Sequence, residues 1–287
     1  MMEFNKPFSE LIQIRKSHRT FIKKDLPPRI QEKINQLLAE NNTGPFGNLL
    51  KFNLIQKEFS ENGQKVKIGT YGFISGAKYF IVGEVENKPY GFEDYGFALE
   101  KIILLLTSME LGTCWLGGTF NRKMLYGLMQ SGDDIIIPAI TPVGFVARSK
   151  TIRERIIRRV ANANQRLTWD LLFFNHDFYT PLTENDASRY ALPLEMVRLA
   201  PSASNKQPWR ILKKNNAFHF FLKRTPGYRN AFKVVDLQRV DIGIAMAHFE
   251  LVCQDSGLNG KWENLKSEWE NFENPEYIIS WKTQNML

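Results

Sequence analysis

Asp94-Tyr95-Gly96-Phe97-Ala98 opens an apolar stretch that runs through Ile102-Ile103-Leu104-Leu105-Leu106 to Leu111 and Trp115. Asp241-Ile242-Gly243-Ile244-Ala245 opens a second one, which ends at Leu258 and Trp262. A single offset of 147 residues relates Asp94 to Asp241, Leu111 to Leu258 and Trp115 to Trp262. Each stretch is apolar on most faces, the pattern of a helix buried in a core rather than laid on a surface. Glycine stands near the end of both, Gly112 in the first and Gly257 and Gly260 in the second, where a helix C-terminus accepts a left-handed residue.

The echo extends outward from the two helices. A strand precedes each, Tyr79-Phe80-Ile81-Val82 and Phe218-His219-Phe220-Phe221-Leu222. Another follows each after a proline, Pro138 to Gly144 and Pro275 to Trp281. Each half therefore runs helix, strand, strand, buried helix, strand, an internal duplication rather than a short-period solenoid. Mixed helices and strands around central buried helices predict an α+β fold. The expected organisation is a first half over residues 1–160, a connector over 161–183 and a second half over 184–287, intertwined as one unit. The stretch from Arg153 to Asp186 that contains this connector begins with the basic run Arg153 to Arg159 and carries Leu171-Leu172-Phe173-Phe174, too apolar for a free linker. A fused pair of this kind does within one chain what a symmetric dimer does with two, so the expectation is a monomer that mimics a dimer. One of its two equivalent sites is then free to decay.

The chain has 287 residues, 43% of them hydrophobic and 13% aromatic, which argues against disorder. Two cysteines, Cys114 and Cys253, exclude a disulfide scaffold. The longest apolar run is far short of a membrane span, which needs about 20 residues, and Met1-Met2-Glu3-Phe4-Asn5 has no signal pattern. The expectation is a cytoplasmic protein without membrane partners. A net charge of +8 favours anionic partners without choosing among nucleic acid, membrane surface and phosphate-bearing ligand.

Three motifs carry chemistry. Arg15-Lys16-Ser17-His18-Arg19 places cations and a hydroxyl close enough together to surround a phosphate, since guanidinium groups chelate its oxygens. On charge alone the same stretch also reads as a solvated basic turn. Pro201-Ser202-Ala203-Ser204-Asn205-Lys206-Gln207-Pro208-Trp209 combines small residues, which admit a flat ligand, with polar groups for its rim. It also reads as a polar loop capping a helix. Cys114-Trp115-Leu116-Gly117-Gly118 is either a turn after a buried helix or a backbone N–H presented to a ligand.

Together these motifs resemble the nitroreductase family of flavin enzymes, and more narrowly its single-chain "putative TM nitroreductase" branch of two fused nitroreductase-like halves. The family's Arg-Arg-Ser-x-Arg is matched by Arg15-Lys16-Ser17-His18-Arg19, and its Pro-Ser-x-x-Asn-x-Gln-Pro-Trp by Pro201 to Trp209. Its buried helix ending in a leucine-glycine turn is matched by Met109 to Gly118. The resemblance implies a nitroreductase-like fold, duplicated as a pseudo-dimer, with FMN as cofactor. It implies that Arg15, Lys16, Ser17 and Arg19 hold the phosphate and ribityl chain. Pro201, Ser202, Ala203, Ser204 and Asn205 would pack on the ring, and Leu116, Gly117 and Gly118 would line the edge carrying N5. Thr70 and Tyr71 match a stretch on the pyrimidine side. The basic pair after the last core strand maps to Arg153 and Arg155, with Arg148 and Lys150 as the competing assignment.

The two copies diverge in complementary ways. The first half's counterpart of the Pro-Ser loop is Gly44-Pro45-Phe46-Gly47-Asn48, and the second half's counterpart of the phosphate motif is Asp186-Ala187-Ser188-Arg189-Tyr190. One FMN per chain follows. The implied activity is oxidation of NADH or NADPH, with hydride transfer through flavin N5 to a nitroaromatic, quinone or similar small acceptor. The chemistry would be the flavin's, so no side chain is assigned as catalytic. No His, Cys or carboxylate cluster has zinc spacing, and His176, His219 and His248 read as structural. A non-catalytic FMN-binding protein, acting as sensor or store, is the alternative. A nucleic-acid binder is disfavoured because no recognised motif accompanies the charge.

Overall fold

The computed structural model describes residues 6–61, 64–147, 165–231, 234–269 and 274–284. The chain divides into two compact units, one comprising Met1–Asn5 and Ile14–Ala163, the other Lys6–Gln13 and Asn164–Leu287. Helix α1 (Phe8–Ile14) thus lies almost wholly in the second unit. There the Phe8 N–H donates to Asp255 Oδ2 at 2.5 Å.

The first unit is built on a five-stranded sheet. Its strands are β1 (Leu50–Gln56), β4 (Tyr79–Glu86), β5 (Gly112–Thr113), β6 (Ile135–Ile136) and β7 (Ile140–Gly144). Their order is β1-β4-β7-β5, with β6 also paired to β4. Seven of the eight β4 residues are buried, as a central strand covered on both faces requires. A two-stranded hairpin, β2 (Glu58–Glu61) and β3 (Gln64–Lys67), stands apart from this sheet. Helix α2 (Pro28–Glu40) starts with proline in its first turn, where a missing N–H costs nothing. Helix α3 (Gly91–Ser108) is the first expected core helix, and Tyr95, Leu99, Ile102, Ile103, Leu104 and Leu106 are all fully buried. Helix α4 (Arg122–Met129) is capped by Asn121, whose side chain accepts from the Met124 N–H at 3.1 Å.

The second unit carries another five-stranded sheet, β8 (Phe173–Asn175), β9 (Trp209–Lys214), β10 (Ala217–Leu222), β11 (Gly260–Glu263) and β12 (Glu276–Thr283). Its order is β11-β12-β10-β9-β8. Helix α5 (Ala191–Arg198) packs on helix α6 (Leu237–Asp255), the second expected core helix. Phe249 of α6 sits among Phe218, Phe220, Trp262 and Trp281 with ring centroids 5.3–6.5 Å away, spacings at which aromatic pairs add to burial. His219 and His248 are fully buried, hydrogen-bonded to Ser280 Oγ and the Met196 carbonyl respectively.

Strand by strand the two sheets repeat one plan. The order β1-β4-β7-β5 in the first is the order β9-β10-β12-β11 in the second, with a buried helix between the second and third members of each in sequence. The fold is α+β and internally duplicated. Strand β8 has no counterpart among the described residues of the first sheet, and it pairs parallel with β9, Phe173 opposite Ile211.

Candidate functional site

In the first unit the Arg15–Arg19 motif leads into an extended segment held by its backbone to three others. His18 N–H donates to the Thr113 carbonyl at 2.8 Å, and Ser75 N–H donates to the Arg19 carbonyl at 2.9 Å. Phe21 N–H returns a bond to Ser75, and Ile22 N–H donates to Phe145. A side chain at Gly112 would clash: a Cβ there lies 2.5 Å from Val146 Cγ2 and 3.3 Å from His18 Cβ. Glycine is what lets β5 run this close to the motif.

With the backbone occupied, the side chains define the chemistry. Arg15 is almost fully buried and its Nε lies 3.6 Å from Glu100 Oε1 on α3. The other Glu100 oxygen accepts the Trp115 indole N–H at 2.6 Å. A fully buried carboxylate thus orients a cation of the first motif and an indole of the third. Sequence reasoning passed over Glu100, although a charge inside the apolar run Ala98-Leu99-Glu100-Lys101-Ile102 is the signal, because a buried carboxylate must be paired. Arg15 Nε and Arg19 Nη1 are both buried and meet no hydrogen-bond acceptor among the described residues. Lys16 is exposed.

Thr70 is buried and Tyr71 exposed with φ 45°. They open the turn that leads to Ser75, the partner of Arg19 and Phe21. Leu116 exchanges both backbone bonds with Ile140 at 2.9 Å, so its own N–H is spent. The N–H groups of Gly117 and Gly118 meet no acceptor among the described residues. Arg148, Lys150, Arg153 and Arg155 lie outside the described residues. A cavity of about 400 Å³ in this unit is lined by Lys23, Gln56, Lys57, Glu58, Gly76, Ala77 and Lys78, none of them an expected site residue.

In the second unit the Pro201–Trp209 loop is strained and internally tied. Ser204, Asn205 and Gln207 have φ of 51°, 54° and 48°. Non-glycine residues there cost on the order of 1 kcal/mol each and persist only where the surroundings enforce them. Ser202 Oγ accepts from the Gln207 N–H at 2.8 Å, and Gln207 Oε1 accepts from Leu167 N–H at 2.8 Å. Asn205 donates to the Gln165 carbonyl and accepts from Arg166 Nη1. Ser204 Oγ is 3.2 Å from the Tyr228 hydroxyl. Asp241 Oδ1 accepts the Ala203 N–H at 2.9 Å, while its Oδ2 is buried without a hydrogen-bond partner among the described residues. Burial lifts the Asp241 carboxyl well above the usual carboxylate range. Arg210, next along β9, donates to the Gln207 and Trp209 carbonyls, and burial pushes its guanidinium down to about 10.

Among the described residues no group of three or more His, Cys, Asp or Glu side chains could hold a metal, and no helix is long and apolar enough to cross a membrane.

A duplicated α+β chain with these motifs is a nitroreductase-fold protein. It belongs to the family described as "Putative TM nitroreductase", which it matches over residues 8–253. A crystal structure of a "putative nitroreductase" from Thermotoga maritima is 20% identical and aligns with TM-score 0.61, covering 98% of this chain and 95% of that one. A nitroreductase family protein from Clostridium novyi NT is 20% identical over 52% of this chain and 91% of its own, TM-score 0.40. An FMN-dependent nitroreductase from Clostridium difficile R20291 is 14% identical over 49% and 88%, TM-score 0.36. No curated protein matches the sequence.

Proposed function

We propose that the chain is an FMN-dependent oxidoreductase that passes electrons from NADH or NADPH to a nitroaromatic, quinone or similar small acceptor. The observation that carries this reading is the pair of buried guanidinium nitrogens, Arg15 Nε and Arg19 Nη1, without acceptors among the described residues. A buried cationic donor left unmatched is costly, and a phosphate supplies the missing oxygens in the geometry a guanidinium prefers. The nearest carboxylate oxygen to Arg15, on Glu100, stands at 3.6 Å and is engaged to Trp115 through its partner oxygen. It orients Arg15 without satisfying it. Membership of a nitroreductase family supports the same reading.

Bound FMN would supply hydride acceptance and release at N5. The chain's own residues bind and orient. Arg15, Lys16, Ser17 and Arg19 are assigned to the phosphate and ribityl chain, with Arg153 and Arg155 as further cations. Pro201 to Asn205 are assigned to the ring face, Thr70 and Tyr71 to its pyrimidine side, and Leu116, Gly117 and Gly118 to its N5 edge. Since Leu116 N–H is already bonded to Ile140, the donors at that edge are Gly117 and Gly118. No side chain is assigned a proton-transfer role.

Titrating the apo chain with FMN, read by quenching of flavin fluorescence, is expected to saturate at one equivalent per chain. The loaded chain is expected to oxidise NADH or NADPH when menadione or a nitroaromatic is added. Absence of flavin binding overturns the cofactor assignment. Binding without reduction by either nucleotide overturns the enzymatic one and leaves a non-catalytic flavin carrier.

A further inference from the structure

Arg122 is a cation in an unfavourable place. It occupies the first position of α4, where the helix dipole disfavours positive charge. No carboxylate partners it among the described residues. Its donors go instead to three backbone carbonyls: Nε to Ile137 at 2.9 Å, Nη2 to Pro138 at 2.9 Å, and Nη2 to Gly117 at 2.5 Å. The guanidinium lies over the Phe120 ring, 4.5 Å from its centroid. Burial pushes its proton affinity down, so the arrangement is held against an electrostatic cost.

The Gly117 bond has a geometric consequence. In a trans peptide the carbonyl and the following N–H point in opposite directions, and the only cis bond among the described residues is Asn274–Pro275. Fixing the Gly117 carbonyl on Arg122 therefore aims the Gly118 N–H directly away from Arg122. Gly118 is exposed, and its N–H has no acceptor among the described residues. One residue earlier the same logic applies, since the Leu116 carbonyl is fixed on Ile140 N–H.

We infer that Arg122 is a positioning residue: through the Gly117 carbonyl it locks the Gly117–Gly118 peptide so that the Gly118 N–H stands as a pre-aimed donor for the flavin ring edge. This rests on the FMN assignment above. Two glycines in a row without such a clamp would sample several peptide orientations, and a donor fixed in advance costs no reorganisation when the ligand arrives.

The test uses full-length chain labelled with ¹⁵N-glycine, titrated with FMN. In the wild type the Gly118 amide resonance is expected to shift more than those of Gly47 and Gly227. Arg122→Met is expected to reduce the FMN-induced Gly118 shift by more than half and to weaken FMN binding about tenfold. Arg122→Lys, which can still reach one carbonyl, is expected to recover part of both. If the wild type binds FMN while the Gly118 amide stays put, the inference is wrong, whatever the variants do. It is equally wrong if Arg122→Met folds and keeps the full Gly118 shift. If the wild type binds no FMN, it is the cofactor assignment that fails.

Discussion

Asp94 and Asp241 hold corresponding loops in the two halves, and they hold them differently. Asp94 accepts three bonds from its loop, from the Phe46 and Asn48 N–H groups and the Asn48 side-chain amide, at 2.9–3.0 Å. Gly44 lets the loop close down on it, since a Cβ there would lie 2.3 Å from Asp94 Oδ1. Phe46 stacks on Tyr90 at 4.4 Å and completes a self-contained cap. Asp241 accepts one bond, from Ala203, leaves its other oxygen without a partner among the described residues, and holds a loop in which Ser204, Asn205 and Gln207 have positive φ. The copy that lost the Pro-Ser pattern has satisfied itself. The copy that kept it carries buried polar atoms unmet among the described residues, Asp241 Oδ2 and Trp209 Nε1, together with backbone strain, which is what the proposed binding loop calls for.

The largest effect that separates the halves is expected at the cations. Arg19→Ala should weaken FMN binding about a hundredfold, near 2.7 kcal/mol, by removing a charge-assisted donor to phosphate. Arg189→Ala, in the second half's residual motif, should leave flavin affinity unchanged, and comparable losses in both would erase the asymmetry. Next come the two aspartates themselves. Asp94→Asn puts an amide donor against one of three donors and is expected to cost about 2 kcal/mol in urea denaturation. Asp241→Asn needs only to keep one accepted bond and should stay within about 1 kcal/mol of wild type at about pH 4, where the carboxyl it replaces is protonated.

Burial raises both carboxyls, Asp94 against three accepted hydrogen bonds and Asp241 against one, and it lifts Asp241 well above the ordinary carboxylate range. The folded chain therefore holds the Asp241 proton more tightly than the unfolded chain does. The associated stability is fullest below the ordinary carboxylate value of about 4, and declines as pH rises through the raised value. Asp241→Asn should therefore gain on wild type as pH is raised from about 4, by at most ~1.4 kcal/mol per pH unit. Parallel stability curves would show that Asp241 is ionised after all. The smallest effect is expected for Phe46→Ala, about 1 kcal/mol from the lost stack, with flavin stoichiometry still one per chain.

The duplicated plan was readable because it is written in local patterns. Buried helices and apolar strands announce themselves by period and composition, and one constant offset linked Asp94 with Asp241 and Trp115 with Trp262. What escaped depends on distant pairing. Nothing near Phe173 shows that it will lie beside Ile211. Likewise, Arg15 gives no hint that its companion is Glu100, 85 residues further along the chain. Arg122 carries no signal in the sequence, because three carbonyl partners leave no trace in residue type. The motifs themselves were legible, whereas the strain in Ser204, Asn205 and Gln207 was not, since none of them is a glycine.

Helix α1 sets a limit on taking the molecule apart. Lys6–Gln13 belong to the second unit although some 150 residues of the first follow them before that unit resumes at Asn164. A gene cut between the halves would ship this helix with the wrong fragment and leave Asp255 without the Phe8 amide. Evolution could append one half to the other, but a bench scientist hoping to reverse the fusion would have to transplant the first helix as well.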